Sequence, residues 1–143
     1  MAKNLMSRFE VFIGIWNTVG EVFATSHAPA TTLVATDIYR WLPGRQFIIH
    51  DVDARFGSQV TRSMEVLGYD RDSKRYLSRS YDDQGESGVY EVSLKGRRWK
   101  IVGDVVRFDG RFSQSTDVLE GLWEIKDGAT WCPWIDLKLT RAS

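Results

Sequence analysis

His50 is the side chain of this sequence best suited to acid–base or ligand-binding chemistry. The chain has two histidines, and His50 lies within residues 48–56, where apolar and polar residues alternate. Neighbouring residues of a strand point to opposite faces, so the alternation places His50 on the apolar face, opposite Asp51 and Asp53. An imidazole on an apolar face could accept a proton in catalysis or bind the polar end of a ligand.

The same alternation selects an arginine, a tyrosine and two tryptophans. In residues 99–107, Arg107 shares a face with Trp99, which predicts that Arg107 points inward or lies at the rim of the fold. Tyr90 and Trp123 also alternate with charged neighbours and are expected to face inward. Large aromatic side chains line small-molecule sites, although they also fill ordinary cores.

One further segment, residues 60–69, is ambiguous. One of its faces carries Arg62 and the other carries Glu65, so either choice places a charge inside. A buried charge costs several kcal/mol unless it is paired. Two interpretations stay open: a satisfied internal network, with Glu65 paired to Arg107 and His50 bonded to a hydroxyl, or a set of groups that meets the polar end of a ligand.

Catalysis is the alternative use of these residues. His50 or Glu65 could act as a general base, and for Glu65 burial would raise the pKa of the carboxyl group towards neutrality. Arg107 or Tyr90 could then stabilise an oxyanion. Isomerase, cyclase or hydrolase chemistry would need little more. No serine lies in a nucleophile elbow, however, and Cys132, beside a proline, has no evident base partner. The sequence therefore leans against an enzyme and assigns no catalytic residue.

Short alternating segments separated by turn signals must position these side chains. They number about ten, at the 8–12-residue spacing typical of an antiparallel barrel or sandwich. Asp109-Gly110 and Asp127-Gly128 predict two-residue hairpins. Apolar residues at three-to-four spacing predict one short amphipathic helix over residues 4–12, packed as a lid over one end.

Length and charge limit the function further. The chain of 143 residues fits one domain, here residues 1–143, and it has 19 basic and 19 acidic residues. A net charge of zero argues against a nucleic-acid partner. No segment approaches the roughly 20 apolar residues that span a bilayer. The single cysteine and the lack of a signal peptide favour the cytoplasm and exclude a cysteine-cluster metal site.

Several motifs resemble the calycin superfamily of lipocalins, fatty-acid-binding proteins and nitrobindin-like barrels. Gly14-Ile15-Trp16 follows a short helix, and Arg141 ends the last strand. In those barrels the tryptophan of the first strand packs under a basic residue of the last strand, as a cation over an aromatic face. The resemblance therefore assigns Trp16 and Arg141 to structure.

A bacterial lipocalin-like family of unknown function is more similar still. The likeness covers about residues 9–141 and is carried by residues 39–44 (YRWLPG), 65–70 (EVLGYD) and 121–124 (GLWE). The resemblance implies a ten-stranded calycin-like β-barrel and a small apolar ligand, and it brings no established reaction. It also implies that the inward residue of the ambiguous strand is Glu65.

The histidine pattern disfavours haem. Haem iron takes an axial ligand that is usually a histidine. Nitrobindin-like barrels carry that histidine near the C-terminus, whereas residues 130–141 have none and His27 lies in a predicted loop. No cofactor and no metal are predicted.

The preferred interpretation is an all-β barrel that binds a small apolar or amphipathic molecule in its interior. The predicted ligand-binding residues are His50, Glu65, Tyr90, Trp99, Arg107 and Trp123. A third interpretation is an interaction module with a fully packed barrel, whose outer aromatic residues form a homodimer.

Overall fold

The computed structural model describes residues 4–143, whose strands close into a barrel of ten antiparallel strands. Each strand pairs with its neighbours in sequence, and the first strand pairs with the last, so closure leaves no free sheet edge. The predicted all-β architecture and its antiparallel order are confirmed. The strands are β1 (Gly14–Val22), β2 (Thr31–Trp41), β3 (Phe47–Phe56), β4 (Gln59–Asp70), β5 (Arg75–Asp82), β6 (Ser87–Lys95), β7 (Arg98–Val102), β8 (Val106–Phe112), β9 (Val118–Asp127) and β10 (Thr130–Arg141).

The period of two along each strand separates the inner face from the outer face. In β2, Leu33 and Ala35 are each 7% exposed, whereas Val34 between them is 56% exposed. Asp37 has the same parity as Leu33 and Ala35 and is 6% exposed, although it carries a carboxylate. Alternation therefore brings a charged residue to the interior along with the apolar ones.

The predicted N-terminal helix is a 3-10 helix over Ser7–Phe12 and not an α-helix. A 3-10 helix has three residues per turn, so side chains three apart lie on one face. Met6, Phe9 and Phe12 follow that spacing and are at most 1% exposed, whereas Leu5, which fits the α-helical spacing, is 40% exposed. Packing of these three side chains against the barrel end decides the tighter geometry.

Arg141 joins this helix to the barrel. Its guanidinium lies 4.2 Å from the ring centroid of Trp16 and donates hydrogen bonds to the carbonyl oxygens of Val11 (2.6 Å) and Ile13 (2.7 Å). The indole Nε1 of Trp16 donates to the carbonyl oxygen of Phe12 at 2.8 Å. The contact of Trp16 with Arg141 that the resemblance implied is present, and it closes one end of the barrel.

The prediction of a hairpin at Asp109-Gly110 is wrong, because both residues lie inside β8. The chain reverses earlier, between β7 and β8, where the Gly103 N–H donates to the carbonyl oxygen of Val106 at 2.9 Å. Gly110 serves packing instead: a Cβ there would lie 2.6 Å from the Phe108 ring, and its cross-strand partner is Gly121. The pair of glycines gives room to that ring.

The buried apolar side chains form two groups inside the barrel. The larger group surrounds the helix and includes Phe9, Phe12 and Trp99. The smaller group lies towards the opposite end and includes Leu33 and Ile135. Within residues 4–143, no helix has the length and apolar character needed to cross a membrane.

Candidate functional site

A cavity of about 440 Å³ lies between the two groups of core residues and extends to the barrel end opposite the helix. Near that end it is bordered by Phe56 at the end of β3, Thr61 near the start of β4 and Asp82 at the end of β5. Most of the remaining wall is apolar or aromatic. A volume of roughly 300–1,000 Å³ is usual for sites that take a small molecule.

A row of hydrogen-bonded polar side chains crosses the inner face of five adjacent strands, β1 to β5. The Thr18 hydroxyl donates to Asp37 Oδ2, and Asp37 Oδ1 lies 2.6 Å from His50 Nε2. On the other side, His50 Nδ1 lies 2.8 Å from Glu65 Oε1, and the Ser78 hydroxyl donates to Glu65 Oε2 at 3.0 Å. These five residues are called the polar row below.

His50 is the centre of the polar row and is enclosed on several sides. It is 8% exposed, and the Tyr39 ring stacks on its imidazole at 3.8 Å between centroids with 11° between the planes. Tyr39 and Glu65 are the direct cross-strand partners of His50 on β2 and β4. The register of three consecutive strands therefore surrounds the imidazole with an aromatic face and two carboxylates.

Electrostatics in the polar row favour a charged imidazole between two carboxylates. Burial alone lowers the pKa of His50, but hydrogen bonds to Asp37 and Glu65, together with their negative charges, raise it to about 9. For Glu65, burial acts in the opposite direction and raises the pKa. The hydrogen bonds from His50 and Ser78, together with the His50 charge, outweigh burial, so the pKa of Glu65 is lowered. At neutral pH the imidazolium and the Glu65 carboxylate are both ionised.

This state is poorly suited to general base catalysis. A protonated His50 has no lone pair to accept a proton, and both of its N–H groups already point at carboxylate oxygens. Glu65, with its lowered pKa, is a weaker base than a free carboxylate. The arrangement is better suited to holding a fixed pattern of charge and hydrogen-bond acceptors on one side of the cavity.

Burial of the Tyr39 phenol raises its pKa well above the ordinary value, and the charges of Asp37 and Glu65 add to the shift. The ring is therefore neutral at physiological pH. The Tyr39 ring lies between Phe12 of the helix and the His50 imidazole, so it covers the imidazole from the helix side.

Five of the six predicted site residues line the cavity. His50 and Glu65 belong to the polar row, whereas Tyr90, Trp99 and Trp123 contribute to the wall. In the ambiguous strand β4, Glu65 faces the interior, while Arg62 is exposed and lies 3.8 Å from Asp53 on the outer surface.

Of the two positions predicted for Arg107, inward or at the rim, the inward one is wrong, and so is its pairing with Glu65: the residue lies on the outer face near the start of β8, at the open end of the barrel. Arg107 Nε donates to Glu124 Oε1 at 2.8 Å on the outer surface, and its guanidinium lies 4.2 Å from the Trp131 ring centroid. The cause is the turn at 103–105, which the alternation of residues 99–107 conceals. Trp99 faces inward before the turn, but Phe108 faces inward after it, so the parity of the inner face changes.

Three members of the polar row were not predicted from the sequence: Thr18, Asp37 and Ser78. The parity of Asp37 with Leu33 and Ala35 was a usable signal, because an acidic residue on an otherwise apolar face needs a partner. The hydroxyl pairing proposed for His50 is also wrong, since both ring nitrogens face carboxylates.

Trp134 also lines the cavity and had no comparable signal. The pairing of β10 with β9 shifts between Pro133 and Ile135, so a bulge turns Trp134 inward beside Ile135. A strict alternation would have placed these two neighbours on opposite faces.

The described residues offer little support for a metal or haem. Within residues 4–143, no group of three or more His, Cys, Asp or Glu side chains is arranged to hold a metal ion. His50 is the histidine that lines the cavity, and both of its nitrogens are engaged with carboxylates. To bind haem iron, His50 would have to give up one of those hydrogen bonds.

Comparisons with known proteins give a fold and a family. The crystal structure of Rv2717c from M. tuberculosis superposes with a TM-score of 0.73, covers 100% of both chains and is 11% identical in sequence, so the likeness concerns the fold alone. No curated protein matches the sequence. The model of the family described as "Protein of unknown function (DUF1579)" matches residues 6–96. Since that match spans more than half of the chain, this protein belongs to the DUF1579 family.

Proposed function

We propose that this protein binds a small, mostly apolar molecule with one polar end inside a calycin-like barrel. The observation that carries the proposal is the cavity of about 440 Å³, walled by aromatic and aliphatic side chains, with the polar row on one side. A concave apolar site with a few convergent polar groups is the usual form of a small-molecule site. The proposal treats residues 1–143 as a single lipocalin-like domain.

The roles within the cavity follow from position. Glu65 presents its carboxylate to the polar end of the ligand, because its side chain is 25% exposed, compared with 9% for Asp37. His50, the cross-strand neighbour of Glu65, holds that carboxylate in place through its Nδ1 atom. Trp99 and Trp123 contact the apolar body of the ligand, and Tyr90 borders it near the turn between β7 and β8.

A fully packed interaction module is a weaker interpretation. A well-packed interior has few voids larger than a water molecule, whereas this interior holds about 440 Å³. The enzyme interpretation is weaker as well, because the hydrogen bonds of His50 leave it no free nitrogen to act as a base.

Titration with a neutral aromatic probe tests the proposal. Naphthylethanol is titrated into the protein by isothermal calorimetry, and one-to-one binding with a negative heat-capacity change is expected, because apolar surface is buried. Native mass spectrometry of the protein, purified without refolding, adds a second readout, since a co-purified ligand appears as mass that is lost on denaturation. The same spectrum counts the subunits and so tests the predicted homodimer.

A matched pair of substitutions locates the binding. Val52→Phe adds a ring inside the cavity, whereas Val34→Phe adds the same ring on the outer face of the neighbouring strand. Binding lost in the first variant and retained in the second supports the cavity as the site. Equal binding by both variants, or no binding of any probe by the unaltered protein, overturns the proposal.

A further inference from the structure

Negative and positive side chains line the cavity in unequal numbers, and this inequality limits the charge that the polar end of the ligand can carry. Among residues 4–143, the charged groups that line the cavity are four carboxylates and one imidazole, with no lysine or arginine: Asp37, Glu65, Asp82, Glu86 and His50. The inference drawn from this inequality rests on the proposed function and deepens it by naming the class of ligand.

The positive charge of His50 is not available to an anion. Its Nε2 and Nδ1 atoms lie 2.6 Å and 2.8 Å from the oxygens of Asp37 and Glu65. One face of its ring is covered by Tyr39. An anionic ligand would therefore meet no free N–H in the polar row, and it would lie beside two carboxylates.

The negative charge of Glu65 is accessible. One oxygen of its carboxylate takes the His50 hydrogen bond and the other takes one from Ser78 at 3.0 Å, so each oxygen keeps a second lone pair. Two carboxylates around one imidazolium leave one net negative charge in the polar row. A negative charge with apolar walls around it is stabilised by a cation that enters the same space.

The walls and the mouth of the cavity favour the same sign. Aromatic faces attract a cation through the negative face of the ring, and Trp99, Trp123 and Trp134 line the cavity. Asp82 and Glu86 lie near the open end, where their charge attracts cations and repels anions during entry.

We propose that the ligand is an organic cation, an amine with a compact aromatic or aliphatic body, whose ammonium group binds Glu65. The walls bind the apolar body, and the polar row provides the counter-charge. Carboxylates of fatty-acid type are excluded by the same charges that admit the amine.

Three probes that share one aromatic body test the sign of the polar end. Naphthylethylamine, naphthylethanol and naphthylacetic acid are cationic, neutral and anionic at pH 7, and their affinities for the protein are measured by isothermal calorimetry. The amine is expected to bind about tenfold more tightly than the alcohol, and the acid more weakly than both.

Two isosteric substitutions assign that preference to the cavity. Glu65→Gln is expected to remove the roughly tenfold advantage of the amine while the alcohol binds within about threefold of its original affinity. Glu124→Gln, which removes a carboxylate of the outer surface, is the matched control and leaves the order of the three probes unchanged. Circular dichroism checks that both variants remain folded.

The outcomes separate the two proposals. If the alcohol binds as tightly as the amine, or the acid binds most tightly, the cationic ligand is wrong while the binding function stands. If none of the probes binds, both proposals fall. The order of the probes on the unaltered protein is decisive by itself, even if Glu65→Gln does not fold.

Discussion

The two ends of this barrel differ in how densely their side chains are packed. At the closed end, Phe9 and Phe12 of the 3-10 helix are at most 1% exposed and fill that end of the barrel, where the Phe12 ring contacts Trp99 and Phe112. Towards the other end, Trp123 and Trp134 leave space between them and the polar row. One end resembles an ordinary core, whereas the other keeps an unfilled volume, and the polar row lies between them, joined to the helix through the Tyr39 ring that packs on both Phe12 and His50. The closed end is thus the more densely packed half, and the proposed site extends into the less densely packed one.

Removal of the Phe12 ring is expected to have the largest effect on this comparison. The ring packs on Trp99 at 4.7 Å and on Phe112 at 5.1 Å between centroids, so Phe12→Ala removes both contacts and leaves a void between these rings. The free energy of unfolding should fall by about 3–5 kcal/mol, measured by chemical denaturation. Phe23→Ala, whose ring is 40% exposed, is the control and should change it by less than ~1 kcal/mol. A small effect of Phe12→Ala would mean that the helix does not close the barrel.

The pH dependence of stability tests the polar row, which lies between the two ends. The pKa of His50 is raised from 6.5 to about 9 on folding, so the stabilisation that it provides is complete below pH 6.5 and is lost as the pH rises through 9. The free energy of unfolding should fall by about 3 kcal/mol between pH 6.5 and 9.5, below the titration of Tyr39.

The opposite sign applies to Glu65. Its pKa is lowered on folding, so its contribution to stability is complete above its ordinary pKa of 4.5 and is lost as the pH falls through the folded value.

His50→Gln should abolish the alkaline loss of stability between pH 6.5 and 9.5. An alkaline loss that persists unchanged in this variant would show that another group causes it.

Trp123→Ala is expected to be milder than Phe12→Ala, although it removes a larger ring. Trp123 packs on Phe108 at 5.3 Å between centroids but also borders the existing cavity, so part of its surface has no partner to lose. We expect a loss of about 2 kcal/mol by chemical denaturation. The affinity for naphthylethanol should also fall, because the wall loses a contact. A loss as large as that of Phe12→Ala would show that the two ends are packed alike.

Arg107→Ala is expected to have the smallest effect. The side chain is 42% exposed and pairs with Glu124 on the outer surface, where ion pairs contribute about 0–1 kcal/mol. Ligand affinity should be unchanged, in contrast to Glu65→Gln. A change of more than about threefold in affinity for naphthylethylamine would mean that Arg107 reaches the cavity after all.

The fold was predictable in outline because its main signal is local. Alternation, turn residues and the spacing of segments lie within short stretches of sequence, and they predict about ten antiparallel strands without knowledge of any contact. The inward position of His50 follows from the same alternation. Prediction failed where the alternation of a strand is interrupted. The turn at 103–105 reverses the face of Arg107, and the bulge near Pro133 turns inward Trp134, for which no face was predicted.

The sequence by itself determined the parity of strands with a clean alternation, such as β3, and therefore which of their side chains enter the barrel. It left the parity of β4 open. It could not determine which of the inward side chains meet, because strand register and closure depend on contacts between residues far apart in the chain. His50 and Glu65 become direct neighbours only through the pairing of β3 with β4, and Asp37 reaches His50 only through the pairing of β2 with β3. The tertiary structure decided that the imidazole lies between two carboxylates and that a cavity remains beside them, since both follow from how the strands pair and how far the side chains fill the closed barrel.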